Sequence, residues 1–319
     1  MKPSSHPLKG YFYIGTAAFL WGVSASLGRA AFTGRLFFSG ASLTAIDPLI
    51  IAQTRATFAC LILAAALILR RGSKAFAVPM RDVARFFALG VLGVAASNYL
   101  YYLAIQRTNV ATAIILQYTA PVWVLLYSVL VGLQRLSWQR SFAVALAVAG
   151  CALTVGLGRS GGLRIDALGM GAAILAAFSF AFYNIAGHRI LARHDRWKTV
   201  SWVLLCASIF WLFVNPPWKV AAARYSLGQW EFLLVFSLVS VLAPFSFYFA
   251  GLQYLEPTRA IVTSCLEPVF SISIAAVVLG EILHPLQAAG IILVLIAIIL
   301  VQLSEHRGQD KALVLQPVE

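Results

Sequence analysis

Apolar runs recur along this chain at 11–33, 48–69, 83–105, 109–132, 141–157, 167–187, 200–214, 230–255, 257–280 and 285–303. Most are long enough to cross a hydrocarbon core of about 30 Å as a helix rising about 1.5 Å per residue. Inside lipid every backbone N–H and C=O must be bonded within the protein, so a spanning run of this length is helical. Ten such runs in 319 residues leave no room for a soluble domain, and the expected fold is an all-α integral membrane protein of ten transmembrane helices. The composition agrees: 61% of residues are apolar and 11% charged, against roughly 25% charged in a soluble domain. The shortest runs are 141–157 and 200–214, and 230–255 contains Pro244, which a bundle tolerates where neighbours satisfy the freed carbonyl.

The net charge of +13 raises the question of a nucleic-acid partner, and the placement of the charges excludes one. With the N-terminus placed in the cytoplasm, sixteen of the 24 Lys and Arg residues fall to the inner side and seven to the outer, which leaves Arg55, seven residues into its run, as the one assigned to neither. That bias predicts a multi-pass protein of the cytoplasmic membrane with both termini inside. The four cysteines all lie in oily runs and read as small apolar residues, neither a disulfide framework nor a metal site. The lysines ahead of 11–33 resemble a signal peptide, but the apolar stretch is too long and has no small-residue cleavage site, so it reads as a retained first helix. "GLGRSG" at 156–161 matches a nucleotide-binding pattern in letters only, for it ends a span with no strand before it. The basic loop around His188 and His194 repels metal cations. No cofactor is expected.

The chain repeats itself. Shifted by 147 positions, "NYLYYLAIQRTNVATAIILQYTAPV" at 98–122 aligns with "FSFYFAGLQYLEPTRAIVTSCLEPV" at 245–269, and at an offset of 159 "AAFLWGVSASLG" at 17–28 aligns with "AAFSFAFYNIAG" at 176–187. The difference of twelve residues is assigned to a longer stretch in the first copy around 34–47. Five spans per copy is an odd number, so the copies enter the membrane from opposite sides as inverted repeats, 11–157 and 167–303, followed by a cytoplasmic tail, 304–319. Secondary transporters use that architecture and place their site near the midplane between the repeats.

The "AAFLWG" of the first run, the "APV" at 120–122 and the long second-half segment beginning "AGLQYLEPTRAIVTSCLEPV" resemble the tandem EamA-type permeases of the drug/metabolite transporter superfamily. The resemblance covers roughly 11–303 and is strongest over 250–303, at Glu267-Pro268, Gly280-Glu281, Gln287 and Gly290. It departs in the first copy, where Ala120 replaces the acid before Pro121, so an acid-dependent role falls to the second half. What the resemblance implies is ten helices, cytoplasmic termini and the export or uptake of small metabolites, often amino acids.

Counting from Pro257, Glu267 lies about 15 Å into its span. A charge there costs at least about 2.5 kcal/mol, so it must face a water-filled cavity, carry a proton or meet a cation. Thr263 and Ser271, four residues to either side, share its helical face. Asn98, Tyr99 and Tyr102 of the third span and Gln117 and Tyr118 of the fourth suit a cavity that accepts an amphipathic solute, as do Trp21 and Ser24 of the first. Arg55, seven residues beyond Pro48, reads as an anchor whose guanidinium reaches the outer interface, with binding of an anionic substrate group as the other reading. Glu281 reads as a cap at a helix end.

These features point to a secondary transporter, not an enzyme, moving a small metabolite such as an amino acid by alternating access, outward, with a proton as the candidate coupling ion. The lipid bilayer is its medium and the metabolite its partner. An ATP-driven pump is excluded because the chain has no P-loop. The competing classes are a membrane protein without transport activity and a membrane enzyme acting on lipid, and the second would need acids, histidines or metal ligands clustered near one membrane face.

Overall fold

The computed structural model describes residues 7–33, 46–108, 110–134, 136–155, 166–279 and 284–314, and within them every regular element is helical. The expected cap at Glu281, the stretch 34–45, the "GLGRSG" segment and residues 315–319 lie outside the described residues. Among the described residues eight helices are long and apolar enough to cross a membrane: Leu49–Arg71, Met80–Arg107, Thr112–Leu130, Trp138–Val155, Ala167–Leu191, Arg196–Val214, Leu227–Leu252 and Pro285–Leu303. The expected run 11–33 lies within a further helix, Pro7–Thr33. The expected run 257–280 is divided into two shorter helices, Pro257–Ser264 and Leu266–Leu279. The last helix continues past 303 to Val314.

Helices begin where a polar side chain accepts the first free N–H groups. Asp47 Oδ1 accepts from Leu49 N at 2.7 Å and Ile50 N at 3.3 Å, with Pro48 opening the helix. Asp166 accepts from Gly169 N at 2.7 Å, Asp195 from Trp197 N at 3.1 Å, and Ser226 and Gln229 form a reciprocal capping box. These caps stand in the polar segments between the apolar runs, so these four helix starts are fixed by sequence chemistry that the apolar pattern itself does not contain.

The two halves interlock. The 7–33 helix packs on the 227–252 and 257–279 segments of the second half, and the 167–191 helix packs on the 80–107 and 110–130 segments of the first. The 48–71 helix packs against 196–214, and 138–155 against the helix that starts at Pro285. That last pair is in backbone contact: a Cβ added at Gly290 would lie 2.5 Å from Thr154 N and 2.7 Å from the Gly150 carbonyl oxygen. Small residues at such a crossing let helices gain dispersion contact where lipid supplies no hydrophobic drive between them.

Irregularities recur 147 residues apart. The fourth span of the first half breaks at Tyr118-Thr119, before Pro121, and its counterpart breaks at Cys265, before Pro268. The 80–107 helix contains a π-helical turn at Leu89–Ala95, and the 227–252 helix contains one at Leu238–Leu242. The second precedes Pro244, whose missing N–H leaves the Ser240 carbonyl without its helical donor. Single π turns mark positions where a helix departs from regular bonding, frequently at functional sites.

Candidate functional site

These breaks and π turns border one cavity of about 1000 Å³. Gly93 and Val94 of the first π turn line it, and so do Ser240 and Val241 of the second, which are their partners at the 147-residue offset. Tyr118 and Gln117 reach it from the first broken helix, and Glu267, Pro268 and Ser271 from the second. At one end the lining extends to Asp47 and Tyr225, where Asp47 N donates to the Tyr225 hydroxyl at 3.0 Å. It includes no residue of the segments 72–80, 131–140 or 253–259, so the cavity runs from the middle of the bundle toward the Asp47 end and is closed at the other.

Closure has two layers. Next to the cavity the rings of Trp21, Tyr183, Phe245 and Tyr248 pack together, with centroids 5.2 Å apart for Trp21 and Tyr248 and 5.5 Å for Tyr183 and Tyr248, and the Tyr248 hydroxyl donates to Asn184 Oδ1. Beyond them a polar latch ties the halves. Gln134 Nε2 donates to Glu256 Oε2 at 2.8 Å and Thr258 Oγ1 donates to Gln134 Oε1 at 3.1 Å, while Arg140 and Arg259 each stand 3.9 Å from Glu256.

The break that presents Glu267 has a local cause. Thr263 Oγ1 donates to Arg259 O at 2.7 Å and Ser264 Oγ to Ile261 O at 2.8 Å, bonds that compete with the backbone ladder and bend helices. Pro268 then withholds an N–H from the Ser264 carbonyl. The Cys265 carbonyl accepts a weak bond from Cys151 Sγ at 3.8 Å. Glu267 is thereby in the first turn of a 14-residue helix, where the positive end of the helix dipole favours a carboxylate. The Tyr118 hydroxyl is hydrogen-bonded to that carboxylate, and Arg55 interacts with it electrostatically. Gly22 completes the support: a Cβ there would lie 2.9 Å from Ser271 N and 3.2 Å from Glu267 O, so the 7–33 helix lies directly on the Glu267 turn.

Of the residues expected at a site, Trp21, Ser24, Asn98, Tyr102, Gln117, Tyr118, Glu267 and Ser271 line this cavity. Tyr99 and Thr263 do not. Tyr99 packs edge-on against Phe210 and Trp211, and Thr263 is buried at 2% exposure with its hydroxyl turned to Arg259 O. Arg55 lines the cavity as well. Its guanidinium lies over the Tyr102 ring, 5.7 Å from the centroid, and donates to Asn98 Oδ1. Tyr101 of the third span lines it too, and so do Tyr183 and Ser240, which were not expected there. The Tyr183 and Ser240 hydroxyls are buried without a hydrogen-bond partner among the described residues. On the third span Val94, Ser97/Asn98, Tyr101/Tyr102 and Ile105 all face the cavity at spacings of three and four, one stripe of the helix.

An enclosed space of this size, mostly apolar and aromatic with a few convergent polar groups, suits a small organic solute. Among the described residues there is no group of three or more His, Cys, Asp or Glu side chains able to hold a metal ion.

Comparison with known proteins places these features in a family. Residues 8–156 and 167–303 each match the EamA-like transporter family. The chain is 31% identical over 228 residues to the "Threonine/homoserine exporter RhtA" of Salmonella typhimurium strain LT2, covering 70% of each chain. It is 26% identical over 240 residues to the "Uncharacterized inner membrane transporter YicL" of the same organism, covering 74% of this chain and 79% of the relative. One solved crystal structure, 20% identical, superposes with a TM-score of 0.75 over 96% of this chain and 98% of its own, which establishes a common fold.

Proposed function

The chain belongs to the EamA-like transporter family, and from that premise we propose that it is a secondary exporter of amino acids or closely related small metabolites, working by alternating access. Membership makes it a multi-pass membrane transporter of small molecules in the cell membrane, rather than an enzyme. The 7–33 helix, the eight long apolar helices and the broken 257–279 segment are read as ten spans in two inverted halves, 11–157 and 167–303, with both termini cytoplasmic. The recurrence of breaks and π turns at a spacing of 147 residues and the reciprocal docking of each first helix on the other half support that reading.

The observation that carries the proposal is the cavity between the halves, entered by both broken helices, reaching toward the Asp47 end and latched at the other, with one carboxylate beside the break. With the termini inside, the Asp47 end faces out, and we read this as the outward-facing conformer. Return to the inward-open state requires the Gln134–Glu256–Thr258 latch to part. Glu267 serves as the contact for a substrate ammonium group or as the carrier of a coupling proton. Amino-acid export is favoured by the relative named a threonine/homoserine exporter and by a cavity that offers both a carboxylate and aromatic walls.

The test is counterflow in proteoliposomes loaded with unlabelled L-threonine, L-homoserine or L-phenylalanine, with the labelled compound outside, repeated with and without a pH gradient. Accelerated uptake of a labelled amino acid is expected. Failure of every amino acid in the protein-containing liposomes, relative to empty ones, would overturn the substrate reading.

A further inference from the structure

Arg55 stands in the cavity with a charge that no acid in direct contact neutralises. Among the described residues no carboxylate lies within ion-pair distance of its guanidinium. Asp47, eight residues earlier and also on the cavity wall, is committed to capping its helix. Glu267 is felt across the cavity but is hydrogen-bonded to Tyr118. Seven residues beyond Pro48 is about 10 Å along the helix, a depth at which an uncompensated cation is costly and marks function by default.

The side chain is nonetheless fixed. Asn98 accepts one of its five N–H donors, and Asn98 is itself held by a 2.7 Å bond from Nδ2 to the Val94 carbonyl in the π turn. The Tyr102 ring supports the guanidinium from one side. Arg55 lines the cavity, and its guanidinium keeps further donors in the planar fork that can match a carboxylate with two parallel bonds.

We propose that Arg55, positioned by Asn98 and Tyr102, is the carboxylate-receiving subsite of the cavity, so that a solute binds with its carboxylate at Arg55 and its ammonium group toward Glu267. The protein then selects zwitterions over amines of the same side chain, and Arg55 is a specificity-determining residue. This rests on the amino-acid reading above.

The experiment measures thermal stabilisation of the purified full-length protein by L-threonine, L-homoserine and L-phenylalanine, each against its methyl ester, which keeps the ammonium group and loses the carboxylate. The wild type is expected to bind the acids about 10- to 100-fold more tightly than the esters, the range for a hydrogen bond to a charged group. In Arg55→Gln that preference disappears, the acids falling to the level of the esters while the esters are unchanged. Asn98→Ala, which frees the guanidinium without removing it, lowers the preference part of the way. If the acids stabilise the wild type no better than their esters, or Arg55→Gln keeps the preference, the Arg55 assignment fails while the amino-acid reading stands. If none of the acids stabilises the wild type, the amino-acid reading fails and this one with it. Should Arg55→Gln not fold, the acid and ester comparison in the wild type and in Arg55→Lys, where loss of the fork reduces the preference, decides the matter.

Discussion

Glu267→Gln isolates the charge of the broken helix from its shape. The amide keeps the volume of the carboxyl and can still bond the Tyr118 hydroxyl, and Pro268, Gly22 and the Cys151 contact that fix the turn are untouched. What it gives up in the fold is the interaction of a carboxylate with the first turn of the 266–279 helix, about 0.3 to 1 kcal/mol, set against relief of the cost of holding a charge there. The variant should therefore reach the membrane and unfold within a few degrees of the wild type. In substrate binding the loss is larger: a hydrogen bond to a charged group is worth about 1.5 to 3 kcal/mol, or about 10- to 100-fold in affinity. Proteoliposome counterflow read over a pH series supplies both the rate and its pH dependence. The expected result is transport reduced by at least tenfold at low substrate with a flattened pH profile. A Gln variant that transports at the wild-type rate with the wild-type profile would show that Glu267-Pro268 only shapes the helix.

Tyr118→Phe deletes the hydroxyl bonded to Glu267 and keeps the ring, so KM should rise about fivefold, the effect of about 1 kcal/mol; an unchanged KM would remove Tyr118 from the site. Gly290→Ala forces a methyl group against Thr154 N and the Gly150 carbonyl, neither of which can turn aside, and should lower stability by about 1 to 3 kcal/mol in thermal unfolding; an unshifted midpoint would mean that the two helices are not in backbone contact. The described cysteines are all buried, so labelling of intact cells by an impermeant thiol reagent has a low background. Ser73→Cys and Ser304→Cys should stay protected and Leu227→Cys, at an exposed position, should react; the opposite pattern inverts the topology.

The apolar spans were legible because hydrophobic length is a local property, and the capped helix starts fall in the polar segments between them. The site was legible only in part, for three physical reasons. Thr263 was placed beside Glu267 by four-residue spacing, but that rule assumes a continuous helix, and the break at Cys265 lies between the two. Tyr99 follows Asn98 in sequence, yet one residue of helix is a turn of about 100 degrees, and its ring packs edge-on against Phe210 and Trp211 instead of lining the cavity. For Arg55 the distance from the helix start gives depth and says nothing about direction, so the anchor and anion-binding readings both stayed open; the direction is set by Asn98 and Tyr102 on another helix. The π turns had only Pro244 as a signal, and nothing comparable marks Leu89–Ala95.

The backbone contact between Gly150 and Gly290 also has a practical consequence for anyone measuring motion in this protein. Two helix backbones that meet through carbonyl and amide groups, with only the short Thr154 and Val294 side chains beside them, have little slack: the helices can rotate about the crossing but cannot slide or part there without opening a gap. A pair of spectroscopic labels on the lipid-facing sides of this crossing, at Ala149 and Ile292, is thus a built-in ruler of nearly constant length. A second pair spanning Leu133 and Gln253, near the Gln134–Glu256 latch, lies on the long arm of the lever. The ratio of the two distance changes reports the angle through which one half swings against the other, without reference to the membrane or to an outside standard.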